Sequence, residues 1–427
     1  MKNHYSVTFG RLRALHREWS LTATAAGLVA AIVSYAGPFA VVLQATHAAG
    51  LDAGHTASWV WALAIGSGVS GIVLSLATRM PVIVAWSTPG AALLLASIGG
   101  YRFSDAVGAF LLASLAATVL GVTGWFGKII AVVPGAITSA LLAGILLPFV
   151  IAGSAAVTRA PLVAGTVVVA FVAARRFAER YAVVLALVAG AVVTALTGSA
   201  TTAGLSLTVT APILTLPTFD PQAVLSIGVP LLLITMAGQN APGLTVLRQA
   251  GYQPDDRVLV GGVSAVSALL TPFGGHAINL AAITAAICTG SDSHPDRRRR
   301  YVAGVVCGVA NVVAGVFAAS LVSAYAVLPA AMIAALAAVA LLPSVVGALT
   351  ATISGPAQAH IPAVATLAIT ASGIVVHGVG SAFWALVVGG ALWLSSQPRK
   401  TERTRAPLAT RATPAAAGVA RSADLSP

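Results

Sequence analysis

Residues Val82 to Ile98 read VIVAWSTPGAALLLASI, a run of membrane-spanning length broken in its middle by Ser87-Thr88-Pro89-Gly90. Val82, Ile83, Val84 and Trp86 favour extended backbone and Ala91 to Leu95 favour helix, so a short strand running into a half-helix is predicted. Ser87 or Thr88 supplies the N-cap, and Pro89 is tolerated in the first turn, where an N–H would have no partner anyway. A helix that begins near mid-membrane aims free N–H groups, here around Gly90 and Ala91, and the positive end of its dipole at whatever lies in front of it. That suits a carboxylate or another acceptor-rich group. Broken helices at membrane depth persist where they line a protein cavity, the arrangement in which transporters bind substrate.

A second such stretch reads Thr271-Pro272-Phe273-Gly274-Gly275-His276-Ala277-Ile278-Asn279 and leads into an alanine-rich segment ending near Cys288. The glycine pair lets backbone approach a ligand without an intervening Cβ, so a second half-helix is expected to start there. His276 would sit at its mouth with Asn279 on the next turn. Gln239 and Asn240 form a third polar pair, followed by Pro242 and Gly243, which loosen a helix as Gly37-Pro38 loosens the first span. Their amides could read a carboxylate or a carbonyl, or bind neighbouring helices. All eleven acidic residues are placed in loops or tails, so no intramembrane carboxylate is available for a cation site or a proton relay. An anionic or neutral substrate held by dipoles and amides fits that census. His276 is the one titratable side chain placed at the site and is the expected proton-coupling group, with a purely structural histidine as the alternative. Gln44, His47, Asn311, His360 and His377 read as packing or loop residues, and Tyr35, Phe39, Trp86 and Phe273 as candidate aromatic walls.

The elements that must position these residues follow from composition. With 58% hydrophobic and 8% charged residues and a mean hydropathy of +0.94 over 427 residues, the chain is an all-α polytopic membrane protein. Its net charge of +12 is scattered over loops and tails rather than gathered on one face, which excludes a nucleic-acid partner and reports topology instead. Cys288 and Cys307 have no metal-ligand or disulfide spacing, and neither a metal nor a cofactor is expected. Apolar runs near 20–46, 57–77, 82–99, 104–123, 130–153, 160–174 and 181–197 make seven spans; those near 222–247, 258–271, 273–289, 301–323, 328–350, 361–376 and 380–396 make seven more. The flanking pieces are a cytoplasmic N-terminal segment (1–19) without a signal-peptide cleavage site, a threonine-rich periplasmic linker (198–221) and a polar tail (397–427) expected to be disordered. With both termini inside, 21 lysines and arginines fall on the cytoplasmic side and 2, Arg102 and Arg159, outside. Asp292 to Arg300 is then a cytoplasmic loop whose arginines anchor topology and meet anionic lipid.

The halves also resemble each other. Ser34-Tyr35-Ala36-Gly37 and Gly50 recur as Thr235-Met236-Ala237-Gly238 and Gly251 at an offset of 201, and Pro134 and Pro148 recur as Pro329 and Pro343 at an offset of 195. Thr88-Pro89 matches Thr271-Pro272. Repeats with an odd number of spans insert in opposite orientations, so two inverted seven-span repeats (20–197 and 222–396) are predicted, with strand-to-half-helix breaks in spans three and ten.

The motifs Ala85-Trp86-Ser87-Thr88-Pro89-Gly90-Ala91-Ala92-Leu93-Leu94, Gln239-Asn240-Ala241-Pro242-Gly243, Pro272 to Thr284, His294-Pro295-Asp296 and Ser381-Ala382-Phe383-Trp384 resemble those of the benzoate membrane transport proteins, a benzoate:proton symporter family. The resemblance covers about residues 15 to 396. It implies a bacterial inner-membrane permease that imports benzoate with protons. More distantly the chain is similar to nucleobase-ascorbate and sulphate transporters, which implies a core domain of spans one to four and eight to eleven and a gate domain of the rest. Those nucleobase relatives use carboxylates in spans eight and ten, where this chain has Gln239, Asn240 and His276, so their coupling scheme does not transfer. The resulting expectation is a secondary transporter, not an enzyme. It cradles an aromatic monocarboxylate among Ser87, Thr88, Gly90, Gln239, Asn240, Gly274, Gly275, His276 and Asn279. Another small anion, a nucleobase-like ring and an uncoupled anion channel are the rivals. Benzoate or a similar carboxylate, protons and membrane lipids are the expected partners, with a homodimer as one option.

Overall fold

The computed structural model describes residues 17–128, 134–200 and 207–397. The expectations for the first residues, the middle of the linker and the tail lie outside the described residues.

Proline and glycine decide where the long apolar runs break. Helix α1 (Leu21–Ala36) gives way to α2 (Pro38–Ala48) at Gly37, because Pro38 has no N–H to continue the ladder. The Tyr325 hydroxyl donates to the Tyr35 and Ala36 carbonyls left at the break, as buried backbone requires where no water is at hand. There follow α3 (Ala53–Thr78), β1 (Val84–Trp86), α4 (Thr88–Ser97), α5 (Phe103–Thr123), α6 (Gly135–Arg159), α7 (Pro161–Phe177) and α8 (Ala182–Leu196). Residues 207–220 are extended and strapped to helix ends by Thr210 N–Val316 O, Thr215 N–Pro272 O and Thr218 N–Ser104 O bonds of 2.8, 2.7 and 3.0 Å. Helix α9 (Pro221–Gln249) contains two π turns, Val224–Gly228 and Met236–Asn240. Pro230 and Pro242 follow them, each unable to donate to the turn before it. The rest comprises α10 (Asp256–Leu270), β2 (Ile278–Leu280), α11 (Ile283–Thr289), α12 (Tyr301–Val316), α13 (Ala318–Ala326), α14 (Ala330–Ile353), α15 (Ala357–Ser372), β3 (Val375–Val376), β4 (Val379–Gly380) and α16 (Ser381–Ser396). Among the described residues, nine helical stretches are long and apolar enough to cross a membrane.

The helices pack in two groups. In one, α3 lies along α12, α5 along α10 and α1 against α11 and α12, with β1 and β2 crossing between them. In the other, α6 packs on α14 and α15, α7 on α8 and α14, and α15 on α16. Distinct apolar clusters belong to each, one including Ala30, Ala285 and Tyr301, another Val167, Phe171 and Met332. The largest cluster runs from Phe39, Trp59 and Trp86 across to Leu146 and bridges them. Between apolar helices in lipid such contacts hold by close packing, which is why alanine and glycine are so frequent at them.

Two expectations change. The second half-helix does not start at the glycine pair: Thr271–Phe273 form a tight turn ended by Gly274 at φ +97°, and the chain then stays extended through Ile278–Leu280 before α11 begins at Ile283. Asn279 therefore lies in a strand, not on a helical turn beside His276. Asp105, expected in a loop, occupies the first turn of α5, where Arg102 Nε donates to it at 3.1 Å.

Candidate functional site

Strands β1 and β2 are antiparallel, with Val84 opposite Leu280, Ala85 opposite Asn279 and Trp86 opposite Ile278. The pairing extends by Ser87 N–Ala277 O and Ala281 N–Ile83 O bonds of 3.0 and 2.9 Å. Two spans thus exchange backbone partners at their breaks, which is how irregular chain survives at this depth.

At the start of α4 the Ser87 Oγ accepts from Gly90 N and the Ser87 carbonyl from Ala91 N, both at 2.9 Å. The amides expected to be free around Gly90 and Ala91 are therefore engaged, because a serine cap folds back onto its own helix. Thr88, half-buried, carries the remaining first-turn N–H. A Cβ on Gly90 would meet Leu231 Cδ1 and Ser87 Oγ at 2.8 Å, so this glycine admits α9 and its own cap.

His276 is fully buried. Trp59 Nε1 lies 3.0 Å from its Nδ1, and its Nε2 lies 2.9 Å from the Ser87 carbonyl. Indole N–H only donates and a carbonyl only accepts, which fixes the neutral tautomer with the proton on Nε2. Both nitrogens are occupied, and the ring is a strut joining α3, the approach to β2 and the β1–α4 turn. Phe110 and Trp59 pack around it, with ring centroids at 6.2 and 5.7 Å. Gly274 and Gly275 make the close approach expected of them, but to α3: a Cβ on Gly274 would lie 3.0 Å from Trp59 Cβ, and one on Gly275 3.2 Å from the Leu270 carbonyl and 3.4 Å from Ala62 Cβ.

Asn240, in the second π turn, accepts from Leu280 N at 3.0 Å through Oδ1, while its Nδ2 is 3.5 Å from Asn279 Oδ1. Asn279 is fully buried, and its Nδ2 has no partner. Gln239, next to Asn240 in sequence, is half-buried. The structure thus brings Ser87, His276, Asn240 and Asn279 to one crossing, and turns the two glycines of the second stretch toward α3.

Two aromatic donors stand at the same crossing. Tyr35, at the α1–α2 break, meets Trp86 edge-on at 5.1 Å, and the Tyr35 hydroxyl and Trp86 Nε1 are both buried without a partner. Phe39 and Tyr325 continue the aromatic wall, their centroids 4.8 Å apart, whereas Phe273 packs away from it on Trp61. Trp59 and Tyr325 went unread in the sequence. Nothing local marks Trp59 in an apolar helix, although Tyr325 could have been sought as the donor that a Gly-Pro break requires. Behind the crossing lies a cavity of about 10 Å³ lined by Ser114, Thr235, Ser264, Ser267 and His276. That is room for about one water molecule. Among the described residues no three His, Cys, Asp or Glu side chains cluster as metal ligands.

Two broken segments crossing strand to strand inside a helical, multi-pass bundle are the architecture of a membrane transport protein. The chain belongs to the benzoate membrane transport protein family, whose family model matches residues 17–394. It is 33% identical over 378 residues to the benzoate membrane transport protein of Acinetobacter baylyi, covering 88% of this chain and 96% of that one. It is 35% identical over 369 residues to the inner membrane protein YdcO of Escherichia coli, covering 86% and 94%. Its fold matches the transmembrane domain of the cyanobacterial bicarbonate transporter BicA with a TM-score of 0.58 at 15% identity, over 86% of this chain and 97% of that one.

Proposed function

We propose that this chain imports benzoate or a related aromatic monocarboxylate with protons across a bacterial inner membrane. The observation that carries the reading is the pair of buried donors without acceptors at the crossing, Tyr35 Oη and Trp86 Nε1, beside an aromatic wall. A site offering donors and ring faces complements a carboxylate attached to a ring. Ser87, Thr88, Gly90, Gln239, Asn240, Gly274, Gly275, His276 and Asn279 form or frame that site. The paired packing supports fourteen spans in two inverted repeats. The α3–α12 contact mirrors α10–α5, α6–α15 mirrors α14–α7, and α7–α8 mirrors α15–α16. Core and gate are then the two packing groups, and the sidedness of lysine and arginine supports a cytoplasmic position for both termini.

Proton coupling follows from energetics. Carrying an anion inward against a negative-inside potential costs about 2.3 kcal/mol per charge per 100 mV, and one proton cancels it. His276 can take that proton only by releasing the Trp59 indole from Nδ1, so a second carrier, the substrate carboxyl group itself, is favoured by the hydrogen-bond pattern. The test is uptake of labelled benzoate into proteoliposomes with and without an imposed proton gradient. Gradient-driven accumulation is expected. Flux that never exceeds equilibrium would indicate a channel, and preferential uptake of another anion or a nucleobase would replace the substrate.

A further inference from the structure

Beyond the site, the two helix groups touch at both ends of the bundle, and the contacts are unequal. At one end the β3–β4 hairpin turns through His377 and Gly378, with φ of 50° and 77°, a two-residue turn whose twist suits a hairpin. Gly380 N donates to Ser226 Oγ at 3.0 Å, Ser226 Oγ lies 2.7 Å from the Tyr101 hydroxyl, and that hydroxyl donates to the Gly378 carbonyl. Each hydroxyl has one proton, so the direction is fixed: with Tyr101 donating to Gly378, Ser226 donates to Tyr101 and accepts from Gly380. The chain of bonds leaves the hairpin, passes through α9 and the α4–α5 loop, and returns to the hairpin. Gln222 Nε2 adds a bond to the His377 carbonyl at 3.1 Å. Ser226 is buried and Tyr101 and Gly380 are half-buried, while His377 and Gly378 at the hairpin tip are exposed.

Among the described residues, the other end has one side-chain tie of comparable reach. Arg180, between α7 and α8, meets Asp292, after α11, at 2.6 Å, with both side chains more than half exposed. Exposed ion pairs contribute little net stability, whereas several connected hydrogen bonds anchored on a buried hydroxyl hold geometry better than one such pair.

Resting on the reading of the chain as a transporter whose two groups move against each other, we propose that the Gly380–Ser226–Tyr101–Gly378 ring is the latch closing the hairpin end. The Arg180–Asp292 pair is the weaker strap at the opposite end. The substrate-free protein therefore rests with the hairpin end shut and opens first at the arginine end. Tyr101 and Ser226 set the balance between the two states without touching the substrate crossing.

The test uses full-length protein in lipid nanodiscs without benzoate. Spin labels on Gly100→Cys and Ile374→Cys report the hairpin end, and labels on Phe177→Cys and Ser291→Cys the opposite end; the native Cys288 and Cys307 are buried. A single short hairpin-end distance is expected in the parent. Ser226→Ala, which removes two bonds, should raise the ratio of long to short distances on the order of ten-fold, and Tyr101→Phe somewhat less. Asp292→Asn should change the opposite end by less than about three-fold. Unchanged hairpin-end distances in both Ser226→Ala and Tyr101→Phe would overturn the latch, as would a larger response to Asp292→Asn than to either. Distances that respond in a protein that does not carry benzoate would keep the latch and remove the substrate reading. Benzoate uptake with unmoved distances would do the reverse.

Discussion

The two broken segments reach the same crossing by different means. The first is self-contained: Ser87 caps its own helix, and α4 begins two residues after β1 ends. The second borrows almost everything. Ile278 N is held by Ser267 Oγ at 3.2 Å, Leu280 N by Asn240 Oδ1 at 3.0 Å, and His276 by Trp59 and the Ser87 carbonyl. Its helix, α11, has seven residues and no side-chain cap. One half of the crossing is thus fixed by local sequence and the other by the helices around it, so substitutions far from the second segment should disturb it more than comparable changes disturb the first.

The largest expected contrast is between the glycines. Gly274→Val combines a left-handed φ of +97° with a contact of 3.0 Å to Trp59, and should cost about 3 kcal/mol or more, seen as loss of folded protein in a thermal unfolding series. Gly90→Val meets a flexible leucine end and the Ser87 hydroxyl, and should fold while losing benzoate uptake. Equal stability of the two variants would erase the distinction between the segments.

A smaller effect is expected from the borrowed partners. Asn240→Ala strands the Leu280 amide, and Trp59→Phe strands His276 Nδ1; each should cost about 1–3 kcal/mol. Ser87→Ala removes only a cap, about 1 kcal/mol, and Thr88→Ala less. His276→Gln should weaken the clamp between segments; retention of gradient-driven uptake in that variant would assign the proton to the substrate.

The smallest effect lies outside the membrane spans. Partial burial would raise the Glu18 carboxyl, but hydrogen bonds from Tyr301 and Arg79 outweigh it and hold the group below its ordinary value of 4.5. A lowered folded value means the contribution is present above the unfolded value and is lost as pH falls through the folded one. Acid unfolding of Glu18→Gln should accordingly lack a small step below about pH 4.5 that the parent shows.

The contrast between segments also explains what the sequence disclosed. Val82 to Leu95 could be read because strand, cap and helix are written in consecutive residues. In Thr271 to Thr289 the break and a strand ahead of a half-helix were legible, but the strand's place at Ile278–Leu280, after the glycine pair, was not, since it depends on β1 and on Asn240, 40 residues from Leu280 in the chain. Gly274 and Gly275 signalled close approach without saying to what. The unpartnered hydroxyl of Tyr35 could not be known until Tyr325 was seen to take the carbonyls beside it. Apolar run length and proline placement found the helices because those features are local, down to the weakest runs, which form α10 and α15.

The most direct test is equilibrium binding of labelled benzoate to purified protein, comparing the parent with Tyr35→Phe, Trp86→Phe and the double variant. Each change removes an unpartnered donor while keeping a ring in place. Affinity is expected to fall at least about ten-fold in the double variant, with thermal unfolding unchanged or slightly improved in Tyr35→Phe, which removes only a buried unpaired donor, and modestly lowered wherever Trp86→Phe removes core volume. Benzoate affinity equal to the parent's in a folded double variant would contradict an aromatic-carboxylate site at the crossing.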